Sequence, residues 1–276
     1  MFELFDTHCH THELVRKVTP VYDKWHSDGA ERTPQSVLAA AKDAGVTRAL
    51  CIGTTLADSQ LAVEFAGQHD DVWASIGIHP HEAANHNSTE VKQQFKGLLT
   101  PASGSDPLAA KIIAGGECGL DYFYGHSPKK DQMEMLRFQI EFALEHDLPL
   151  SFHVREAFDD FWPIFDSYKG IRGVLHSYTD NEANLEKAVE RDLHIGVNGI
   201  ATFAKPEQSV IYRTIPQHLL LLETDAPFLT PVPFRGKVCE SKHVRVTAEY
   251  LAELRGETLE ALAAATTANA RALFKV

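Results

Sequence analysis

Leu219-Leu220-Leu221-Leu222-Glu223-Thr224-Asp225 is an unbroken apolar run that turns polar at its end. A strand with one face in water alternates apolar and polar residues. A continuous apolar run instead reads as a parallel strand covered on both faces. The strand Leu219–Thr224 is one of a series, with Phe2–His8, Arg48–Gly53, Val72–Ile78, Ile112–Glu117, Leu148–His153, Gly173–His176 and His194–Asn198. Helical patterns fill the gaps. Thr33-Pro34 opens one by the cap-then-proline rule and Gly45 closes it. Others cover 58–69, 88–99, 129–147, 157–169, 181–192, 206–214 and 243–255, and an Ala-rich helix spans Thr258–Phe274. Strand and helix alternating eight times predicts an α/β fold, a single (β/α)8 TIM barrel with an extra C-terminal helix, as one domain over residues 1–276. The doubly wound alternative lacks a G-x-G-x-x-G after the first strand. Thr100–Pro107 precedes the fourth strand and is expected on the face away from the site; the long stretch His12–Arg32 is expected on the catalytic face.

Composition bounds the function. The 276 residues are 44% hydrophobic and 23% charged, as in a soluble globular protein. No stretch reaches the roughly 20 apolar residues of a membrane helix. Met1–Asp6 shows no basic segment leading into an apolar run, so no signal peptide is expected. Cys9, Cys51, Cys118 and Cys239 are scattered, which suits reduced thiols in a cytoplasmic protein. A monomer is expected, with no membrane partner. Lys+Arg 26 against Asp+Glu 38 gives a net charge of −12. That argues against indiscriminate coating of DNA, which needs Lys and Arg against phosphate, but leaves room for a small, locally neutralised site.

Chemistry collects at the C-terminal ends of the strands, where sites of this fold lie. The first strand ends Asp6-Thr7-His8-Cys9-His10, and alternation turns His8 and His10 the same way. Other strand ends carry His79 and His81, Glu117 and Asp121, His153 and Arg155, His176, and Glu223 and Asp225. The metal-ligand inventory is His8, His10, Glu117, His153, His176 and Asp225. Imidazole and carboxylate donors without thiolates suit Zn or Mn, with Mg a poorer fit. Four imidazoles exceed what one catalytic ion with an open position takes, so two divalent ions sharing a carboxylate account for them better.

These motifs resemble the TatD family of metal-dependent deoxyribonucleases, within the amidohydrolase-like barrels. The resemblance rests on Phe5-Asp6-Thr7-His8-Cys9-His10, Gly77-Ile78-His79-Pro80-His81, Gly116-Glu117-Cys118-Gly119-Leu120-Asp121-Tyr122, His153-Val154-Arg155, Leu175-His176 and Glu223-Thr224-Asp225-Ala226-Pro227-Phe228-Leu229. It also rests on Arg235-Gly236-Lys237 and Asn269, all in family order. The resemblance implies that His8, His10 and Asp225 hold one ion, that His153 and His176 hold a second, and that Glu117 bridges. It gives Asp225 the further task of orienting or deprotonating the attacking water. It implies a deoxyribonuclease that trims single-stranded 3′ ends. The chain departs from the usual family wording at Ser177-Tyr178-Thr179 and Val238-Cys239-Glu240-Ser241, on substrate-side loops.

A phosphodiester substrate needs cations beside the metals. Arg155 shares the face of His153, and its planar fork suits phosphate oxygens. His79, Lys205 and Arg235 join it as expected substrate contacts. Over Ala226–Arg245 the cations Arg235, Lys237, Lys242 and Arg245 face Glu240 alone, so 4 − 1 = +3. Tyr22, Trp25, Tyr122 and Phe203 are candidate stacking partners for unpaired bases. Two alternatives stand beside the nuclease: another hydrolase of the same superfamily (phosphomonoesterase, lactonase or cyclic amidase), and a non-enzymatic metal-binding protein.

Overall fold

The computed structural model describes residues 2–99 and 108–276; Thr100–Pro107 lies outside the described residues. The strands are β1 Leu4–Cys9, β2 Val46–Ile52, β3 Val72–Ile76, β4 Ile112–Asp121, β5 Leu150–Arg155, β6 Gly173–Leu175, β7 His194–Val197 and β8 Leu220–Leu222. They follow one another in sequence order through one eight-stranded sheet. The helices are α1 Pro20–Trp25, α2 Pro34–Asp43, α3 Leu56–Ala66, α4 Ala83–His86, α5 Thr89–Gly97, α6 Lys129–Glu145, α7 Phe158–Asp166, α8 Glu182–Glu190, α9 Pro206–Thr214, α10 Val244–Arg255 and α11 Leu259–Phe274. This is the (β/α)8 fold with its extra C-terminal helix. Among the described residues no helix is long and apolar enough to cross a membrane.

The chain divides into two compact units. The first is Met1–Cys51 with Ser177–Ala272 and Val276; the second is Ile52–His176 with Leu273–Lys275.

In the first unit β1 pairs in parallel with β2 (Asp6 with Ala49, Cys9 with Cys51), and β7 with β8 (Val197 with Leu222). Just past β8 the chain crosses to β1: the Asp225 N–H donates to the His8 carbonyl and the His10 N–H to the Ala226 carbonyl, each at 2.8 Å. Leu4, Leu50, Ile195, Leu220 and Leu221 are fully buried. Each such side chain contributes about 1.5–3 kcal/mol relative to exposure. The quartet of leucines is thus consumed by packing on both faces, as its pattern predicts.

The stretch after β1 contains a helix that the apolar pattern did not predict. Thr19-Pro20 repeats the cap-then-proline signal seen at Thr33-Pro34, and the Thr19 hydroxyl accepts from the Tyr22 N–H at 3.0 Å. At its end Trp25 is fully buried, and its indole N–H donates to the His10 carbonyl at 3.1 Å. Trp25 therefore braces a strand end; it is not a platform for a base.

In the second unit β4 runs past Glu117 to Asp121, longer than its glycines suggest. Gly119 sits at φ +150°, and a Cβ there would lie 1.8 Å from the His153 carbonyl oxygen. The missing side chain lets β4 press on β5 with Gly119 opposite His153 and Asp121 opposite Arg155. That register places the carboxylates of one strand beside the histidine of the next.

The segment leading into α10 is pinned by a buried histidine in the first unit. His243 is 5% exposed, stacks on Phe234 at 5.0 Å and accepts from the Glu240 N–H at 3.0 Å through Nδ1. Burial, with help from the Lys242 charge, lowers its pKa from 6.5 to about 4. The folded chain thus holds this ring neutral while the unfolded chain protonates it. Its stabilising effect is complete above pH 6.5 and is lost as pH falls toward 4, by up to about 3 kcal/mol. Melting temperatures of the native chain and of His243→Gln, followed from pH 7 to pH 4, are expected to show a shallower acid decline in the variant. Parallel declines would refute this.

Candidate metal-binding clusters

The first unit gathers His8, His10 and Asp225, with one donor atom from each inside 4.8 Å of the others. The His8 and His10 Nε2 atoms lie 3.6 and 3.3 Å from the same Asp225 oxygen, Oδ1. The two rings stand nearly perpendicular, 78° apart, with centroids at 5.4 Å, so their nitrogens converge without stacking. Asp225 reaches them from a left-handed backbone conformation, φ +60°, one that Asp tolerates and bulkier residues do not. Asp6 holds the other strand. Its carboxylate accepts from the Thr224 N–H at 2.9 Å and the Thr224 hydroxyl at 2.7 Å, directly beside Asp225. Glu223 has a similar bracing role. Its Oε1 accepts from the Ser177 N–H at 2.6 Å and from Asn198 Nδ2 at 3.2 Å.

The second unit gathers His79, Glu117 and His153. Around Glu117 Oε1 stand His153 Nδ1 at 2.9 Å, His79 Nε2 at 3.4 Å and His176 Nε2 at 3.7 Å. His153 Nε2 bonds Asp121 Oδ2 at 2.9 Å, and His81 Nε2 bonds the same oxygen at 3.0 Å. A carboxylate on one imidazole nitrogen fixes the tautomer and aims the other nitrogen, here toward Glu117. Burial disfavours a charged His153 ring, but its bonds to Asp121 and Glu117 lift its pKa to about 9. Burial lowers His79 to about 4, outweighing the Glu117 charge, and so keeps it neutral. Burial of Asp121 is likewise overcome: bonds from His153, His81 and the Tyr124 N–H hold its carboxyl far below the usual range.

Each expected substrate contact has a neighbour within its own unit. His79 joins the Glu117 cluster. Arg155 lies over the rings of Phe123 and Tyr124, at 4.0 and 4.8 Å. Arg235 stacks on Phe203 at 3.9 Å, and Lys205 is exposed at the N-terminus of α9. The +3 loop is less basic than its count, because Arg245 pairs with Glu249, which lies beyond the counted stretch. Tyr122 donates its hydroxyl to Asp160 at 2.8 Å, and Tyr22 packs against His26. Phe123 and Tyr124 were absent from the sequence expectation. Their only signal was position, just beyond Asp121 at the end of β4.

Both clusters offer the imidazole and carboxylate donors that a divalent ion of the Zn or Mn type takes. The profile described as "TatD related DNase" matches residues 5–275. The chain belongs to the TatD family. A relative from Bacillus subtilis, the uncharacterized metal-dependent hydrolase YabD, is 33% identical over 99% of both chains. The 3′-5′ ssDNA/RNA exonuclease TatD of Salmonella typhimurium is 32% identical, over 87% of this chain and 92% of its own. The crystal structure of YjjV, a TatD homologue from Escherichia coli, matches with a TM-score of 0.84 at 26% identity, covering 99% of this chain and 98% of the other. This TatD chain is a metal-dependent hydrolase.

Proposed function

We propose that this hydrolase cleaves phosphodiester bonds of single-stranded nucleic acid from the 3′ end, using two divalent ions. The observation that carries this is the pair of three-donor clusters, His8–His10–Asp225 and His79–Glu117–His153, built from strand ends in a TatD chain. The relative named as a 3′-5′ ssDNA/RNA exonuclease supports the substrate class. His8, His10 and Asp225 would hold one ion. Glu117, His153 and His176 would hold the other, with His79 as a further donor. The ions, Zn or Mn, supply Lewis-acid charge and lower the pKa of water.

The chain's own residues do the rest. Asp225 accepts the proton of the attacking water as general base. Asp121 holds His153 in one orientation. Arg155, Lys205 and Arg235 neutralise phosphate oxygens, and Arg is suited to do so through two parallel bonds. Four free, buried cysteines fit a reducing compartment, and a cytoplasmic, monomeric, single-domain protein is part of the same proposal.

The test is a panel of 3′-labelled single-stranded DNA and RNA, blunt duplex, and small phosphomonoesters, lactones and cyclic amides, with Zn- or Mn-loaded protein. Shortening of single strands from the 3′ end at a kcat/KM at least tenfold above that on duplex is expected. Turnover confined to the small esters or amides would sink the nuclease assignment.

A further inference from the structure

Beyond β4, the second unit exposes two large aromatic side chains side by side. Phe123 and Tyr124 are each 51% exposed, with ring centroids 4.8 Å apart and planes at 89°. The Arg155 guanidinium lies over both. Tyr124 is also stacked, offset, with His126 at 5.7 Å, with planes 9° apart. His126 thus supports this ring.

The pair is not loosely held. Asp121 Oδ1 accepts from the N–H groups of both Phe123 and Tyr124, each at 3.0 Å. The other oxygen of that carboxylate accepts from His153 and His81. One buried carboxylate therefore fixes the aromatic turn and the candidate metal-binding histidine in a single frame. Gln132 adds to it by accepting from the Asp121 N–H at 2.7 Å and donating to the Asp121 carbonyl at 3.0 Å. Rigid aromatic rings lose little entropy on contact, and a cation above them is placed to meet an anion.

We propose that Phe123 and Tyr124, with Arg155, form a platform that binds the unpaired terminal nucleotide of the substrate strand. This deepens the nuclease assignment and rests on it. The base stacks against the exposed rings while Arg155 takes a phosphate oxygen. Stacking tolerates any base, because every base has a π face. A base inside a duplex has both faces covered by its neighbours, so the platform selects single-stranded ends. Such a contact acts on binding; the proton transfer at Asp225 is separate from it.

The experiment uses metal-loaded native chain, the Phe123→Ala/Tyr124→Ala double variant, and Phe123→Trp. The substrates are a single-stranded DNA oligonucleotide with an ordinary 3′ nucleotide and one whose 3′ residue is abasic. Thermal melting confirms that each protein is folded. The double variant is expected to raise KM on the ordinary strand about tenfold or more, with kcat changed less than threefold. Native chain is expected to bind the abasic strand about tenfold more weakly than the ordinary one, and the double variant is expected to lose that preference. Phe123→Trp keeps it. An unchanged KM in the double variant overturns the platform, and so does an equal rise on both strands, which marks a merely structural role. If the native chain cleaves neither strand, the nuclease assignment itself fails and takes the platform with it.

Discussion

Asp225→Asn is expected to lower kcat about a thousandfold while the protein stays folded. The Asp225 carboxylate, just past β8, lies against both His8 and His10. Removing a general base in its position costs about 10²–10⁴ in rate. Asn is the informative replacement because it preserves shape. It also tolerates the left-handed conformation at φ +60°, and the backbone bond from residue 225 to the His8 carbonyl does not involve the side chain. What it removes is the negative charge and the capacity to accept a proton. The measurement is single-turnover cleavage of a 3′-labelled oligonucleotide, with a melting curve and metal content on the same sample. A rate within tenfold of the native chain, at comparable metal content, would refute the role.

Stripping the metal is expected to abolish activity and to lower the melting temperature by roughly 5–15 °C. An ion that binds only the folded chain stabilises it by about 2.7–4.1 kcal/mol at 100–1,000 times its Kd. For a chain of this size each kcal/mol moves the midpoint by about 2–4 °C. The large effect has a structural basis. His8 and His10 are buried beside the Asp225 carboxylate, so an ion held there bonds donors from β1 and from the segment after β8 at once. Native protein is expected to hold about two ions, and His10→Ala and His153→Ala about one each, since the substitutions fall in different clusters. Zn or Mn added to the stripped chain should restore both activity and melting temperature. Fewer than one ion per native chain, unrestored by either metal, would refute two working clusters.

The eight strands were legible because burial on both faces leaves continuous apolar runs, of which Leu219–Leu222 is the plainest. The candidate donors were legible as His, Asp and Glu placed where those runs turn polar. The extent of β4 was not, since glycine normally weakens a strand. It forms here because Gly119 alone permits the close approach to His153. Helix α1 was missed although Thr19-Pro20 carries the start signal, because its apolar periodicity is too short to register. Trp25 and Phe123 show the same limit from opposite sides. Both are aromatic residues in segments that follow a strand, yet one is buried against the His10 carbonyl and the other is half in solvent.

By itself, then, the sequence determined the order of strands and helices and the kinds of donor at each strand end. Those follow from hydrophobic period and residue chemistry, which are local. The tertiary structure alone decided which carboxylate faces which histidine. It set Asp6 against Thr224 rather than a ring, brought His79 to Glu117, and made Asp121 the common support of His153 and the Phe123–Tyr124 pair. Those contacts depend on strand register and on backbone turns at single residues. A shift of one position would send the same side chains to the opposite face.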